Sequence, residues 1–345
     1  MSNDKEFSCV CGIDIAKNVM QVYEVTADGE SSNRAVRRAD FLRHFENKPA
    51  TLIGMEACSA SQHWARELQA LGHTVKLMSP KAVKPYVKGM KNDRNDAKGI
   101  YVALTIGVRS VPVKSPSVRD LALLQTMRAK RQRDKTRTIN HIRGILAEYG
   151  LVMGRSVSAF LKNAGGLIAQ LKEQEDVSPF IVSELEEMLE EVENILLRIS
   201  ELEKDIQTLA KGNKNYDLFQ KLPGVGPVTS AIMSVLLCDP TIYRNGRAFA
   251  AYLGLAPMSF GSGGKNQVTH IPSKYGCNKE VRAILVQCAQ AIALSSNKST
   301  WVSSILERKP KKVAIIAIAN KLARQLWAMA IKGDKFEKRF VLGAV

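Results

Sequence analysis

The chain has 345 residues, enough for two or three domains at the usual ~100–200 residues per domain. Hydrophobic residues make up 45% and charged residues 24%, a globular balance that excludes extensive disorder. The formal net charge of +17 favours a polyanionic partner, either a nucleic acid or an acidic membrane surface.

Membrane-spanning and secreted proteins are both disfavoured. The longest apolar stretches, such as residues 313–319, are too short for a membrane span, and residues 1–6 carry acids without the apolar core of a signal peptide. We therefore expect a cytoplasmic protein. The cysteines show neither a CxxC pair nor a zinc-ligand spacing, which predicts reduced thiols, several of them buried, at Cys9, Cys11, Cys58, Cys238, Cys277 and Cys288.

The charge is segregated along the chain. The net charge is +4 over residues 1–110, +8 over 111–165, −7 over 166–215 and +12 over 216–345. Two basic blocks separated by an acidic insert predict two surfaces that bind one polyanion, with a spacer between them.

The first segment, residues 1–112, alternates predicted strands and helices. The elements are strands at 9–15, 19–26 and 32–37, a helix at 40–47, a strand at 51–55, a helix at 61–71, a strand at 74–78, and helices from Lys81 onward. Three consecutive strands followed by alternating helices and strands are the order of a RuvC-like, or ribonuclease H-like, α/β fold. In such a sheet the first and fourth strands are neighbours.

Four carboxylates in this segment point to a metal site. Asp14 ends the first apolar strand, Glu56 ends a later one, and Asp93 and Asp96 lie three residues apart at the start of a predicted helix. An acid at the end of an apolar strand is costly unless it is satisfied, and a hard cation such as Mg²⁺ satisfies it well. Two such cations flanking a phosphate stabilise the attacking and the leaving oxygen.

Other interpretations of these acids remain. Asp14 alone fits a turn, and Asp93 and Asp96 alone fit a helix N-terminus, where the dipole favours acids. Actin-like and sugar kinases also begin with a Gly-x-Asp strand, but the glycine-rich phosphate loops and the second similar domain that they need are not found in the sequence. The four acids together favour the metal site.

The middle of the chain is predicted to be helical in two parts. Residues 113–165 form a basic connector, whose helix at 119–149 carries candidate nucleic-acid contacts at Arg128, Arg131, Arg133 and Arg137; a solvated face is the alternative. Residues 166–212 are acidic and predict a coiled coil, within one chain or between subunits, because apolar residues recur at spacings of three and four. The alternative is a long helix packed on its own domain. The heptad positions are Leu185, Met188, Val192, Ile195, Ile199, Leu202, Ile206 and Leu209.

The last segment, residues 213–345, is predicted to be mainly helical. Gly224 and Gly226 lie in a turn before an apolar helix, which resembles a helix–hairpin–helix element that binds backbone phosphate; a simple helix connection fits equally well. Farther on, residues 261–264 are expected to be irregular, with Lys265 and Lys274 among the nearby cations. Such a loop is either a flexible connection or the carrier of a nucleophilic serine. Chemistry alone leaves Ser259, Ser262 and Ser273 open.

Five motifs resemble those of one family, in that family's order and over nearly the whole chain. They are Gly-Ile-Asp-Ile-Ala-Lys at 12–17, Met-Glu-Ala-Cys at 55–58, Lys-Asn-Asp-Arg-Asn-Asp-Ala at 91–97, Leu-Pro-Gly-Val-Gly at 222–226 and Gly-Leu-Ala-Pro at 254–257. They are similar to the DEDD-type transposases of the insertion-sequence "one-ten" family, especially its "eleven-eleven" branch, and to the Piv DNA invertases.

The resemblance implies a composite active site. The family's Asp-Glu-Asp-Asp tetrad falls on Asp14, Glu56, Asp93 and Asp96, and its serine, five residues past the proline of Gly-Leu-x-Pro, falls on Ser262. The tetrad of one subunit faces the serine of another, and the serine forms a phosphoserine link to DNA.

The resemblance also implies cofactors and partners. These are Mg²⁺, with Mn²⁺ as an alternative, double-stranded donor and target DNA, a structured non-coding guide RNA, and assembly as dimers and tetramers in a bacterial cytoplasm. The function predicted is that of an RNA-guided DNA recombinase that moves an insertion sequence. The alternatives are a RuvC-like metal-dependent nuclease or resolvase, which needs only the acids, and a non-catalytic nucleic-acid-binding protein.

Overall fold

A computed structural model describes residues 7–90, 92–257, 259–262, 265–268 and 279–333. Its contacts divide the chain into two compact units. One unit combines Met1–Ser115 with Leu236–Val345, and the other is Pro116–Val235. These units do not coincide with the four segments drawn from the sequence, whose boundaries stay a prediction.

A mixed six-stranded sheet begins the first unit. Its strands are β1 Cys9–Ile15, β2 Val19–Thr26, β3 Ser31–Arg37, β4 Leu52–Glu56, β5 Thr74–Met78 and β6 Ser110–Val111, in the order β3-β2-β1-β4-β5-β6. Strands β1, β2 and β3 are antiparallel, β1, β4 and β5 are parallel, and β6 is antiparallel to β5. The first and fourth strands are therefore adjacent, which confirms the predicted neighbours.

Four helices accompany the sheet: α1 Arg43–Glu46, α2 Ser61–Ala70, α3 Pro80–Val83 and α4 Asp93–Thr105. The helix predicted at 40–47 is shorter than expected. A 3-10 turn at Arg38–Asp40 precedes α1, and α1 ends before Pro49, since a proline disfavours helical geometry in the residue before it.

Alternation along β1 separates the two faces of the sheet. Cys11 and Ile13 belong to a buried cluster with Phe41 and Trp64, whereas Val10 packs with the apolar residues of α4 on the other face. Position 12, on the α4 face, is a glycine. A Cβ there would lie 2.4 Å from the carbonyl oxygen of Ala97 and from the amide nitrogen of Tyr101. The backbones of β1 and α4 touch only because this position has no side chain.

The second unit contains five helices: α5 Pro116–Glu148, α6 Val157–Lys172, α7 Pro179–Ala210, α8 Lys214–Phe219 and α9 Pro227–Leu236. Helix α7 runs antiparallel to α5, because Arg128 pairs with Glu203 at one end and Ile142 clusters with Leu185 at the other. Leu209 is exposed. The heptad positions buried in this pairing are Leu185, Val192, Ile195, Ile199 and Ile206.

The C-terminal part of the first unit is mostly helical, as expected. Its elements are α10 Gly246–Tyr252, β7 Ser259–Ser262, β8 Lys265–Val268, α11 Lys279–Leu294, α12 Thr300–Arg308 and α13 Lys311–Lys332. Helices α10, α11 and α12 pack on α13. By length and apolar composition α13 also meets the criteria for a membrane span, but half of its apolar window is buried inside the protein, which is typical of a core helix.

We predict opposite effects for two glycine substitutions. Gly12→Ala forces a Cβ into the backbone of α4 and should lower the free energy of unfolding by about 3 kcal/mol. Gly144→Ala, in α5 with open space around its Cβ, should raise it by about 0.5–1 kcal/mol. Urea unfolding of both variants measures the difference. Equal effects would contradict the backbone contact.

Candidate functional site

Asp14 and Glu56 point to the same face of the sheet. The parallel register pairs Gly12 with Gly54 and Ile13 with Met55, so that Asp14 and Glu56 come next at the carboxyl ends of β1 and β4. A Cβ at Gly12 or Gly54 would meet α4. Side chains two residues farther along each strand project to that same face. The two carboxylates are therefore neighbours beneath α4.

The first turn of α4 brings Asp93 and Asp96 to this place. The end of α4 packs near Val10, and the helix crosses Gly12 at residues 97–101. Asp14 lies about 7 Å from Gly12 along β1. Asp93 and Asp96 lie about the same distance from the crossing point along α4, toward the helix N-terminus. Asn92 caps that terminus, since its side chain accepts a 2.8 Å hydrogen bond from the amide of Asn95.

A hydrogen-bond chain fixes the same helix end from the neighbouring strands. Gln21, which lies opposite Asp14 in the antiparallel register, donates to the side chain of Asn33 at 2.6 Å. Asn33 in turn donates to the backbone oxygen of Arg94 at 3.0 Å, between the two helical acids. Gln21 is buried, so its amide is held in one orientation. We infer that these contacts position the first turn of α4.

The four acids interact electrostatically. Burial, followed by the negative charges of Asp96, Asp93 and Glu56, raises the pKa of Asp14 to about 6. The alternative, that Asp93 and Asp96 are only acids favoured by the helix dipole, does not explain why the half-buried Asp14 lies beside them. A set of oxygen donors that repel one another is chemically suited to a hard cation such as Mg²⁺, which would offset the repulsion. The residues that would hold it are Asp14, Glu56, Asp93 and Asp96.

The tetrad is not gathered as tightly as a coordination shell. Among the described residues, the trio of potential metal ligands that lies within 4.8 Å is instead Cys9, Cys11 and Glu24. This cluster was not predicted from the sequence, although alternate residues on a strand share a face and Cys9 and Cys11 are such a pair. It lies on the opposite face of the sheet from Asp14.

The charges in the cysteine cluster are already balanced. Glu24 is buried, which raises the pKa of its carboxyl, but hydrogen bonds from His44 and Lys48 outweigh this and lower the pKa to about 2. The hydrogen bond between the two thiols lowers the pKa of Cys9 and raises that of Cys11. The ammonium of Lys48 already supplies a cation to Glu24, so we assign this cluster to the core. The five described cysteines are free thiols.

The serine segment differs from the irregular loop that was expected. Gly261 and Ser262 belong to β7, which pairs with β8, and Ser262 pairs with Lys265 in the register. The signal that was overlooked is a pair of glycines between two short polar strands, a pattern typical of a hairpin turn. Residues 263–264, together with Ser273 and Lys274, lie outside the described residues.

The basic helix α5 is partly neutralised by its own surroundings. Arg128 is only 19% exposed and contacts Glu203 at 2.6 Å. Arg131 lines an open cleft with three glutamates of α7, Glu187, Glu190 and Glu191. Arg137 is 79% exposed and lies 3.2 Å from Asp134. Arg133 is also exposed and interacts with another group of the protein.

The charge segregation seen in the sequence largely cancels in space. Residues 116–235 hold 16 basic and 16 acidic side chains, so the second unit carries no net charge. The whole surplus of +17 therefore belongs to the unit that combines residues 1–115 with 236–345. The acidic segment is not a separate spacer, because the acidic α7 packs on the basic α5. The two basic surfaces stay a prediction.

The glycine turn before α9 has the backbone geometry of a tight connection. Gly224 has a φ of +74°, a conformation that favours glycine, and Gly226 is surrounded by open space. Helix α9 begins at Pro227, directly after the turn. These features are common to a phosphate-binding turn and to a simple helix connection.

We predict that Asp14→Asn stabilises the metal-free protein at high pH. The raised pKa of Asp14 means that the ionised carboxylate destabilises the folded state as the pH rises from about 4 through about 6. After allowance for solvent screening, the variant should gain about 1–2 kcal/mol at pH 8 and nothing below pH ~4. Urea unfolding in EDTA measures this gain, with the exposed Asp28→Asn as the control. A variant less stable than the wild type at pH 8 would contradict the electrostatic coupling.

Comparisons with known proteins match both halves of the chain. A family model of DEDD-type transposases, described as "Transposase", matches residues 11–151, which contain the four acids. A second model, described as "Transposase IS116/IS110/IS902 family", matches residues 216–303, which contain Ser262.

Similar proteins match along nearly the whole chain. A "Probable family 20 transposase" of Pseudomonas aeruginosa is 35% identical and covers 92% of this chain and 95% of its own. The "Transposase for insertion sequence element IS1111A" of Coxiella burnetii is 32% identical over 95% and 91%. The "Pilin gene-inverting protein" of Moraxella lacunata is 22% identical over 95% and 97%. These matches confirm the resemblance drawn from the motifs, and the chain belongs to the IS116/IS110/IS902 family of transposases.

Proposed function

We propose that this transposase is an RNA-guided DNA recombinase that cuts and rejoins DNA through an acidic tetrad and a serine. The observation that carries the proposal is the meeting of four acids at one edge of the sheet, where burial and then the charges of the other three acids raise the pKa of Asp14. Acids held together against their own repulsion are typical of a metal-dependent site rather than of a packing role.

The tetrad would hold divalent cations, Mg²⁺ or Mn²⁺, through Asp14, Glu56, Asp93 and Asp96. When bound, such cations stabilise negative charge on the scissile phosphate and on its leaving oxygen. The protein's own contribution is to fix the four carboxylates. Strands β1 and β4 hold two of them in register, and the capped first turn of α4 holds the other two.

Ser262 would act as the nucleophile. Its hydroxyl oxygen attacks phosphorus, the new serine–phosphate bond forms, and the bond to the leaving deoxyribose oxygen breaks. The serine gives up its proton and the leaving oxygen gains one. The phosphodiester energy is kept for rejoining, which hydrolysis would discard. In the family's arrangement the serine of one subunit meets the tetrad of another, within a dimer or tetramer.

Nucleic-acid binding would involve several of the residues predicted from the sequence. The exposed Arg131, Arg133 and Arg137 of α5 remain candidates for phosphate contact, and Arg128 would have to exchange Glu203 for a phosphate. Gly224 and Gly226 would bind phosphate as a helix–hairpin–helix turn, and Lys265 and Lys274 would lie near the serine. The guide RNA and the two DNA duplexes are the proposed polyanions. The buried heptad positions of α7 support a coiled coil within one chain.

A metal-dependent nuclease is the second candidate. It would use the same four acids to hydrolyse DNA with water, and it would not need Ser262. A purely binding protein would need neither set. Substitution of the acids and of the serine separates these candidates.

Cleavage should depend on the four acids. Asp14→Asn and Glu56→Gln should each abolish strand cleavage and leave nucleic-acid binding within about twofold, because an amide is a poor ligand for Mg²⁺ and carries no charge. Cleavage of labelled DNA in Mg²⁺ and a gel-shift assay measure the two effects. Asp28→Asn, at an exposed turn, serves as the control. Undiminished cleavage by either tetrad variant would refute the metal site.

Recombination should depend on Ser262. Ser262→Ala should lose both the covalent protein–DNA adduct and all recombination, while Ser259→Ala, at the other end of β7, should retain substantial activity. Denaturing electrophoresis of protein with labelled DNA, guide RNA and Mg²⁺ reveals the adduct, and peptide mapping locates it. Cleavage without an adduct would favour the nuclease, and an adduct on Ser259 would reassign the nucleophile.

A further inference from the structure

A cavity of about 510 Å³ lies between α10 and α13, in the unit that carries the whole positive surplus. The two helices approach closely at Gly246, where a Cβ would lie 3.2 Å from the backbone oxygen of Arg324 and 3.3 Å from the ring of Trp327. The volume falls within the range of pockets that take a small ligand, and it is large enough for one nucleotide.

The rim of the cavity is basic. Its charged lining residues are Arg247, Lys321, Arg324 and Lys332, and none of these four forms an ion pair within the part of the chain that the structure describes. Helix α13 contains no acid from Lys311 to Lys332. Burial, followed by the charge of Arg324, lowers the pKa of Lys321. Among the described helices that pack on α13, α10 has no acid, and α11 and α12 have one each, Glu280 and Glu307. The ammonium of Lys321 lies 3.9 Å from the centroid of the Trp301 ring.

The wall of the cavity carries an unsatisfied amide. Gln325 lines the cavity and is only 6% exposed, yet neither its Nε2 nor its Oε1 has a hydrogen-bond partner. A buried amide without partners destabilises a fold, which is why nearly all buried amides in proteins are hydrogen-bonded. A glutamine amide presents one acceptor and two donors, which is the pattern that pairs with the edge of a nucleobase.

An aromatic ring completes the wall. Trp327 also lines the cavity, and its Nε1 donates a 3.0 Å hydrogen bond to the backbone oxygen of Pro240. This bond uses the only polar atom of the indole and fixes the orientation of the ring. Proteins that bind single-stranded nucleic acids combine aromatic stacking, base-edge hydrogen bonds and phosphate contacts. Here an oriented indole, a buried amide without a partner and a basic rim offer the corresponding groups.

We propose that this cavity binds one unpaired nucleotide of a nucleic-acid strand. Its base would lie beside Trp327 and hydrogen-bond to Gln325, and its flanking phosphates would contact Arg247, Lys321, Arg324 and Lys332. The inference rests on the proposed function only in assuming that the protein binds nucleic acid. It adds a binding site distinct from the acidic tetrad and from Ser262.

The test compares two cavity variants with a control. Gln325→Met keeps the length of the side chain and removes the amide, Arg324→Gln removes one rim charge, and Arg308→Gln removes the same charge from an exposed position on α12. Binding of short labelled single-stranded RNA, single-stranded DNA and duplex DNA to the full-length protein is measured by fluorescence anisotropy over a range of salt concentrations. Thermal unfolding of each variant is measured in parallel.

The proposal predicts a separation of effects. Gln325→Met should weaken binding of a single strand about tenfold, with an unchanged salt slope and an equal or higher melting temperature. Arg324→Gln should lower the salt slope by about 0.7–0.9, and Arg308→Gln should leave affinity and slope unchanged. The strand type that loses most affinity, RNA or DNA, identifies the occupant.

Three results would overturn the proposal. If Gln325→Met and Arg324→Gln bind every probe as the wild type does, the cavity is not a nucleotide site, although the recombinase function stands. If only duplex binding falls, the rim contacts backbone and no base enters the cavity. If the wild-type protein binds none of the probes, the proposed function fails as well.

Discussion

The backbone contact between β1 and α4 at Gly12 is the constraint on which the acidic site depends. Without a side chain at this position, the helix lies directly on the strand, and its first turn reaches the carboxyl ends of β1 and β4. A larger residue would push the helix outward and separate Asp93 and Asp96 from Asp14. The glycine therefore sets the electrostatic coupling between the acids, since this coupling falls as they move apart.

The gathering of four acids also lowers the stability of the fold, since burial and the neighbouring charges disfavour the ionised form of Asp14. The four acids are held at one place by contacts between their neighbours. These are the strand register, the Asn92 cap and the chain of hydrogen bonds from Gln21 through Asn33 to Arg94. The repulsion between the acids is opposed by packing elsewhere, notably the cluster around Phe41 and Trp64 on the far face of the sheet. A cation would relieve that repulsion, so metal binding and folding are expected to be coupled.

Much of the sheet, and the candidate acids, could be predicted from the sequence because those signals are local. Short apolar runs and extended pieces predicted the five longer strands, and acids at strand ends indicated where Asp14 and Glu56 would meet. What could not be predicted depends on which element packs on which. The pairing of Arg128 with Glu203 joins residues 75 positions apart, and the Cys9, Cys11 and Glu24 cluster requires the β1–β2 register. The hairpin around Ser262 was a local signal that was overlooked.

Helices α5 and α13 show that a basic stretch of sequence does not always form a basic surface. Helix α5 has the denser run of cations, but α7 supplies glutamates along its length, and their unit has no net charge. Helix α13 has fewer cations, but no acid lies among them, and a buried amide and an indole line the cavity beside them. Counterions gather where charge is uncompensated, and their release drives nucleic-acid binding. The cations of α13 are therefore better candidates for contact with a polyanion than the cations of α5, which have the glutamates of α7 beside them.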